Sequence, residues 1–397
     1  MHYAVPRMLH DSGQLERLYT DICAVGGVRL LNLLPAFIRP MGVKRLLNRV
    51  PQGVPRNLIT SFTRFGWEYA RRLAKANNPS ESTAEFLWAG KRFCELVLQQ
   101  GFGNATAIYT FNTAGLELLQ AARRNGLFAV MEQTIAPCAV ERRLMKEEHE
   151  AFPDWQNILP EDVHVKEIAK REREEWDNSD MILCGSEFVK DGIAASGGPA
   201  ERCRVIPYGV DVDIERIDRK LRGGPLKVLT VGEVGLRKGA PYILSAAREL
   251  KGKADFRMIG SINVLPQAES KLREYIDLVG PIPRSEMLQQ FMWADVFVLP
   301  SICEGSATVV YEALAYGLPV ICTENTGSVI RNGQEGFIVP IRDGFAVAEK
   351  LAFIAANPDL YASMSQNARK RAEEYTLKSY AHRLSHIFGS GELLSHA

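Results

Sequence analysis

Lys227-Val-Leu-Thr-Val-Gly232-Glu233-Val-Gly235-Leu-Arg237-Lys238-Gly239 joins a short apolar run to a glycine-punctuated loop and the start of a helical pattern. The apolar run suits a strand buried on both faces, and a helix is expected over 238–250. The unit recurs downstream. Asp255-Phe-Arg-Met-Ile-Gly260, Ile276-Asp-Leu-Val-Gly280, Asp295-Val-Phe-Val-Leu-Pro300, Pro319-Val-Ile-Cys-Thr323 and Gly336-Phe-Ile-Val339 read as strands, with helices expected over 285–293 and 306–316. Gly317-Leu318-Pro319 stops a helix before a strand. Such alternation predicts an α/β fold with a doubly wound parallel sheet.

Upstream the same logic runs with longer inserts. Strands are expected at 3–8, 107–111, 127–131, 181–184 and 203–207. A helix is expected from about Ser12, with Glu16 in its early turns, and another over 114–124. The charged run 141–177 reads as a solvated helical pair. Arg222-Gly-Gly-Pro225 is polar and turn-forming and separates the halves. The expected organisation is two Rossmann-like domains, 1–222 and 223–375, facing a central cleft where a ligand would sit.

At about 150 residues per domain, 397 residues also suggest two domains. Hydrophobic residues at 46% and charged residues at 24% fit a folded protein and exclude disordered, collagen-like and mini-protein classes. Forty-eight Lys and Arg against 47 Asp and Glu leave a net charge of +1, which argues against a general nucleic-acid binder. Seven cysteines, odd in number and without any CxxC, fit reduced thiols in a cytosolic protein. The opening MHYAVPRMLHDSG lacks a basic region followed by an apolar run, so no secretory signal is expected. No run of about 18 apolar residues suggests a membrane span.

The chemistry concentrates in two strand-to-helix loops. Ser301-Ile-Cys-Glu304-Gly305-Ser306-Ala307-Thr308-Val-Val-Tyr-Glu312 leaves one strand and enters a helix. A helix N-terminus offers unpaired N–H groups and a positive dipole end to phosphate. Glu304 and Glu312 lie eight residues apart, about 12 Å of helical rise, and such a pair could bracket a nucleotide sugar. The bland alternative is a helix whose glutamates face solvent. The second loop supplies adjacent cations, Arg237 and Lys238, flanked by glycines including Gly232. These suit a diphosphate clamp, though an Arg-Lys pair is often merely solvated. Two such loops on one sheet, beside two carboxylates, are hard to obtain by chance.

With these residues in view, 227–340 resembles the donor domain of retaining glycosyltransferases of family 4, which have the GT-B fold. The resemblance rests on Glu304 and Glu312 as a Glu-x7-Glu motif, Lys238-Gly239, Ala294-Asp-Val-Phe-Val-Leu-Pro-Ser301, Glu312-Ala-Leu-Ala-Tyr-Gly-Leu-Pro-Val320 and Gly333-x-x-Gly336-Phe-Ile-Val339. It continues into Ser186 and Val205-Ile-Pro-Tyr-Gly-Val-Asp211 and is weak before residue 178. It implies that Lys238 holds the donor diphosphate, Glu304 contacts hydroxyls of the transferred sugar and Glu312 the ribose. The N–H groups of Gly305, Ser306, Ala307 and Thr308 would meet the phosphates. It also implies that the last helix, expected over 377–388 within 376–397, crosses back to the first domain. No metal or cofactor is required if Arg237 and Lys238 neutralise the diphosphate, so the implied partners are a nucleotide-sugar donor and a glycan or glycolipid acceptor.

The sequence departs from the family pattern at named places. The arginine that often follows the strand glycine is Glu233, and Arg237 is expected to substitute for it. The aromatic-glycine step after Glu304-Gly305 is Ser306-Ala307. The usual double glycine near the first strand is reduced to Gly13, preceded by His10-Asp11-Ser12. The histidine often found after a central strand is replaced by Glu132-Gln133-Thr134. His10, Gly13 and Glu132 are the acceptor-side candidates. His10 reads first as a surface histidine and second as a contact to donor phosphate or acceptor, whereas Glu132 could equally orient an acceptor hydroxyl or end a strand. His382 and His386 have no third ligand nearby and read as helix-face residues.

One stretch falls outside this scheme. Residues 36–80 hold nine cations (Arg39, Lys44, Arg45, Arg49, Arg56, Arg64, Arg71, Arg72 and Lys75) against Glu68, interleaved with Phe37, Phe62, Phe65, Trp67 and Tyr69. Such a surface suits an anionic membrane, which would put the protein at the inner face as a peripheral protein; a solvated face with inward aromatics is the alternative. The whole reads as a transferase of nucleotide-activated sugar in polysaccharide assembly. A GT-B epimerase or phosphorylase, and a non-catalytic nucleotide-sugar binder, remain open at this point.

Overall fold

The computed structural model describes residues 3–24, 49–157, 163–211 and 219–389. The chain begins with helix α1 (Ala4–Asp11), the short parallel pair β1 (Leu18–Thr20) and β2 (Ile59–Ser61), then helices α2 (Thr63–Leu73) and α3 (Pro79–Gln100). Strand β3 (Ala107–Phe111), helix α4 (Leu116–Arg124), strand β4 (Phe128–Gln133), helices α5 (Cys138–Ala151) and α6 (Val163–Asp177), strand β5 (Met181–Cys184), helix α7 (Glu187–Ala195) and strand β6 (Cys203–Val205) follow. The sheet order is β3-β4-β5-β6.

The second half is more regular. It runs β7 (Leu226–Val231), α8 (Ala240–Glu249), β8 (Ala254–Ile259), α9 (Pro266–Arg273), β9 (Ile276–Gly280), α10 (Met287–Trp293), β10 (Val296–Leu299), α11 (Thr308–Ala315), β11 (Val320–Thr323) and β12 (Gly336–Val339). Helices α12 (Gly344–Ala356), α13 (Pro358–Glu374) and α14 (Leu377–Gly389) complete it. Its six strands lie in the order β12-β11-β10-β7-β8-β9, all parallel. The expected doubly wound parallel sheet is present. Every residue of β10 is buried, as a strand covered by helices on both faces requires.

Three N-terminal expectations are corrected. Residues 3–8, expected as a strand, open helix α1, and no helix follows Ser12. Ala4 and Met8 sit one turn apart and are both buried, which is helical spacing. Pro6 is tolerated because first-turn N–H groups have no partner inside the helix anyway. The run 141–177 is helical but not simply solvated: Glu148, Arg171, Glu172, Glu175 and Trp176 are buried. Of the basic stretch, residues 36–48, with Phe37, Arg39, Lys44 and Arg45, lie outside the described residues.

The described residues form two units by their contacts. One takes them from Met1–Glu132, Pro160–Ile182 and Ala381–Ala397, the other from Gln133–Leu159 and Leu183–Tyr380. In the first, the turn after β3 is held by α6. Thr113 has a left-handed backbone (φ 64°), unusual for a β-branched residue. Its N–H donates to Glu175 at 2.5 Å, and its carbonyl accepts from Arg171 at 3.0 Å. Phe388 of α14 lies beside Tyr109, ring centroids 6.2 Å apart. In the second unit, Trp155 is buried in the core with Leu226, Val228, Leu236 and Ile243. Buried Glu148 accepts from Arg342 at 2.5 Å and from the Tyr242 hydroxyl at 2.8 Å. Those contacts join 133–159 to the six-stranded sheet, although the sequence associates this segment with the preceding half.

Candidate functional site

From β7 the chain winds outward through β8 and β9, then returns to β10 on the other side of β7. Strand order reverses between β7 and β10. In open α/β sheets the crevice beyond the C-terminal ends of such a strand pair is where ligands bind. The loops leaving those two ends, 232–239 and 300–307, are the two that the sequence singles out.

Their close fit explains the glycines. Gly239 has φ 75°, and a side chain there would put Cβ 2.2 Å from the Pro300 carbonyl oxygen. The Ile302 N–H donates to the Arg237 carbonyl at 2.9 Å, tying one loop to the other. Gly232 (φ 145°) leaves room for the Lys238 chain, whose Cε would lie 3.0 Å from an added Cβ. Lys238 is thereby laid across the end of β7.

Lys238 Nζ lies 2.6 Å from Glu304 Oε1, and Arg237 Nη1 lies 3.3 Å from the same oxygen. The Lys238 and Glu304 side chains are only 11% and 10% exposed. The contact is an ion pair without hydrogen-bond alignment, since Oε1 is buried and no donor points at it. Both cations converge on one carboxylate oxygen, so an anion entering the site would compete with Glu304 for them. Glu141, on α5, belongs to the same field. Helix α5 packs on the Leu236–Lys238 turn, and Val140 shares a buried cluster with Ile302 and Cys303. Burial raises the Glu141 carboxyl above its ordinary value; Arg237 opposes the shift and Glu304 adds to it. Burial also raises the Cys303 thiol.

Of the expected phosphate donors, Gly305, Ser306 and Ala307 are enclosed. Gly305 is required by close approach, because a Cβ there would meet the Thr134 carbonyl oxygen at 1.9 Å. Ser186 donates to the Gly305 carbonyl at 2.5 Å. The Ser306 hydroxyl lies 2.9 Å from the Tyr311 hydroxyl and donates to the Gly327 carbonyl at 3.0 Å, while the Ala307 N–H donates to Thr326 at 3.2 Å. Thr308 starts α11 and is exposed. Glu312, one turn further on, is paired at 2.7 Å with Arg284, a largely exposed residue of the loop after β9. Glu233 accepts from Asn263 at 3.2 Å.

The acceptor-side candidates belong to the first unit and are described there alone. His10 lies near the end of α1, 3.4 Å from Asp11, and Gly13 follows in a left-handed turn (φ 72°) with open space around it. His10 is therefore inside a helix and Gly13 just beyond it, and the expected strand-glycine arrangement is absent from that position. Glu132 is buried on β4 and accepts from the Tyr109 hydroxyl of β3.

Sequence reasoning missed three residues. Glu141 and Arg284 reach the site only through the fold. Gln156 bridges two loops: its Oε1 accepts the Leu236 N–H at 2.9 Å, and its Nε2 donates to the Asn263 carbonyl. Gly235 admits that side chain, since a Cβ there would lie 2.8 Å from Nε2. The Gly235 spacing before Arg237-Lys238 was the available signal, though it does not name the partner. Among the described residues, no group of three or more His, Cys, Asp or Glu could hold a metal ion, and no helix is long and apolar enough to cross a membrane.

Residues 211–371 match the family model described as glycosyl transferases group 1. Over 236 residues the chain is 27% identical to the putative colanic acid biosynthesis glycosyltransferase WcaL of Salmonella typhimurium, covering 54% of this chain and 58% of that one. It is 30% identical over 189 residues to the amylovoran biosynthesis glycosyltransferase AmsK of Erwinia amylovora, covering 43% and 46%. The chain thus spans about half the length of the curated relatives it matches. The structure of Anabaena HepE in complex with UDP and glucose aligns over 95% of this chain and 100% of that one, with a TM-score of 0.60 and 14% identity. That likeness gives the fold, which is GT-B as the sequence implied.

Proposed function

We propose that the chain is a retaining glycosyltransferase that moves a sugar from a nucleotide-diphosphate sugar to a glycan or lipid-linked acceptor during surface-polysaccharide assembly. The observation that carries this reading is the cluster of Lys238, Arg237 and Glu304 beyond the C-terminal ends of β7 and β10. Colanic acid and amylovoran in the relatives' names support the polysaccharide setting, and HepE's UDP and glucose support the donor class.

In this reading the bond between the sugar anomeric carbon and the diphosphate oxygen breaks while the acceptor oxygen bonds to that carbon from the same face. The acceptor proton passes to the departing phosphate oxygen. Charge develops on the diphosphate, where Lys238 and Arg237 oppose it from fixed positions, which stabilises the transition state more than the ground state. Glu304 exchanges part of its pairing with Lys238 for sugar hydroxyls, and Glu312 accepts from the ribose. Arg237 takes the role of the arginine displaced by Glu233. The protein works at the inner face of a membrane.

A donor screen tests the reading. Calorimetry against UDP-, GDP- and ADP-sugars should give binding to one nucleotide class, and turnover with polyprenyl-diphosphate-linked glycans should give a product of retained anomeric configuration by NMR. Inverted product would remove the retaining assignment, and no binding to any nucleotide sugar would remove the whole reading.

A further inference from the structure

Helix α2 has two unlike sides. Phe65 is buried against Tyr69, Trp88 and Phe93, with ring centroids 6.2, 5.8 and 6.0 Å away. Arg72 is spent on the same attachment: it pairs with Glu85 at 2.5 Å and lies 4.0 Å over the Trp88 ring. The opposite side faces solvent. Arg64 and Arg71, seven residues apart, point within about 20° of each other, and Trp67 lies about 60° to one side, at about 100° per residue. Both arginines are exposed, and Trp67 is 53% exposed. Lys75 is exposed just past the helix end. Among the described residues, none of the Arg64, Arg71 and Lys75 side chains has an ion pair. Glu68 is the acid on this side. Phe86, half exposed beside Tyr69, extends the apolar edge.

Trp67 and Phe86 leave an apolar edge in water beside three cations that have no ion pair among the described residues, and covering that edge removes apolar area from water. An indole is suited to the headgroup level of a bilayer, and guanidinium and ammonium groups around it are suited to anionic phosphates. We propose that this face of α2 docks the protein on an anionic lipid bilayer, with Trp67 as the interfacial anchor and Arg64, Arg71 and Lys75 meeting the headgroups. Arg49 does not take part, since it is paired with Asp21 at 2.8 Å, and neither does Arg72. The inference deepens the membrane placement in the proposed function by naming the surface that makes it, and docking itself needs no sugar transfer.

Co-sedimentation of the full chain with vesicles tests it, comparing phosphatidylcholine alone with phosphatidylcholine carrying about 30 mol% phosphatidylglycerol. Binding should require the anionic lipid and fall away between about 0.1 and 0.5 M salt. Arg64→Glu with Arg71→Glu reverses two charges and should weaken binding by about a hundredfold or more, as each cation near such a surface is worth about fivefold. Trp67→Ala keeps the charge and should weaken binding about tenfold, a change open to measurement even if the charge-reversed variant folds poorly. Lys251→Glu with Lys253→Glu, the same charge change on another exposed surface, should weaken it far less. Equal loss in both double variants, equal binding to neutral vesicles, or no binding to either would overturn the proposal. So would binding to a single-stranded RNA homopolymer by a protein that ignores vesicles. Since the readout is lipid binding, failure here leaves the transferase reading intact, and loss of turnover leaves the docking face intact.

Discussion

Lys238 and Glu304 meet at 2.6 Å although 66 positions separate them, because their loops leave two neighbouring parallel strands. Each side chain is nearly buried, and the contact is the shorter of the two that Glu304 makes to a cation. A phosphate entering the site would compete with Glu304 for Lys238, which makes the pair a poised element of the site as well as a structural one.

Lys238→Ala should therefore raise the dissociation constants for donor and for free nucleoside diphosphate together. A charge-assisted contact is worth about 1.5–3 kcal/mol, so tenfold or more is expected by calorimetry. The variant should also unfold more easily, because Glu304 keeps only Arg237, the more distant cation. Unchanged nucleotide affinity in a folded variant would remove the phosphate role.

Glu304→Gln and Glu312→Gln should separate. The first keeps the side chain's shape and releases both cations for phosphate, so free-nucleotide affinity should hold or rise while turnover falls about a hundredfold or more. The second breaks the pair with Arg284 and should weaken nucleotide binding itself. Arg284→Ala should give a smaller loss in the same direction, since Arg284 is largely exposed. The same nucleotide response from both glutamine variants would defeat this division of labour.

Gln156→Ala leaves the Leu236 N–H without its acceptor and removes the bond to the Asn263 carbonyl, while the Trp155 carbonyl keeps the Leu265 N–H. A lost hydrogen bond with a partly buried group left unsatisfied costs about 1–3 kcal/mol. Beyond that loss, donor KM should rise more than kcat falls, because the turn carrying Arg237 and Lys238 loses its brace. Gln156→Glu keeps the acceptor and should recover part of the KM effect but none of the bond to Asn263. Equal changes in kcat and KM for both variants would make Gln156 a purely structural residue.

The reach of the sequence followed the range of the interactions. Strands β7 to β12 were legible to within one or two residues: β10 and β11 are buried on both faces and form dense apolar runs, and β8 and β9 are short apolar segments that end at or just before a glycine. The loops at 232–239 and 300–308 were legible because glycine and charge mark them locally. Residues 3–8 misled because six residues with Val5 and Leu9 nearby suit either period; burial of Ala4 and Met8 decides for the helix. Glu148 and Glu175 read as solvent charges because their partners are remote. Arg342 is 194 positions from Glu148, and the N–H groups that Glu175 accepts are 60 and 62 positions away. Glu141 was unreadable for the same reason.

Glu175 gives the pH prediction. Its side chain is fully buried and its carboxyl is pushed up to about 7, by burial first; the Gly115 and Thr113 N–H groups and Arg171 oppose the shift. The ordinary value is 4.5. Between pH 4.5 and about 7 the folded chain thus holds a proton that the unfolded chain has released. The associated stability is fully present below pH 4.5, is lost as pH rises through 7, and changes no further above it. At about 1.4 kcal/mol per pH unit the whole effect is on the order of 3 kcal/mol. Glu175→Gln cannot titrate, so denaturant unfolding of wild type and variant at pH 5, 6, 7 and 8 isolates the contribution. The stability of wild type relative to the variant should fall steadily from pH 5 to 7 and level off by pH 8. At acid pH the folded carboxyl is protonated, yet each of its oxygens still has a lone pair for the Thr113 or Gly115 N–H, whereas the glutamine NH2 cannot accept, so the variant should be less stable there. A constant difference between the two proteins across the range would show that Glu175 is ionised throughout, held so by its two N–H donors and Arg171.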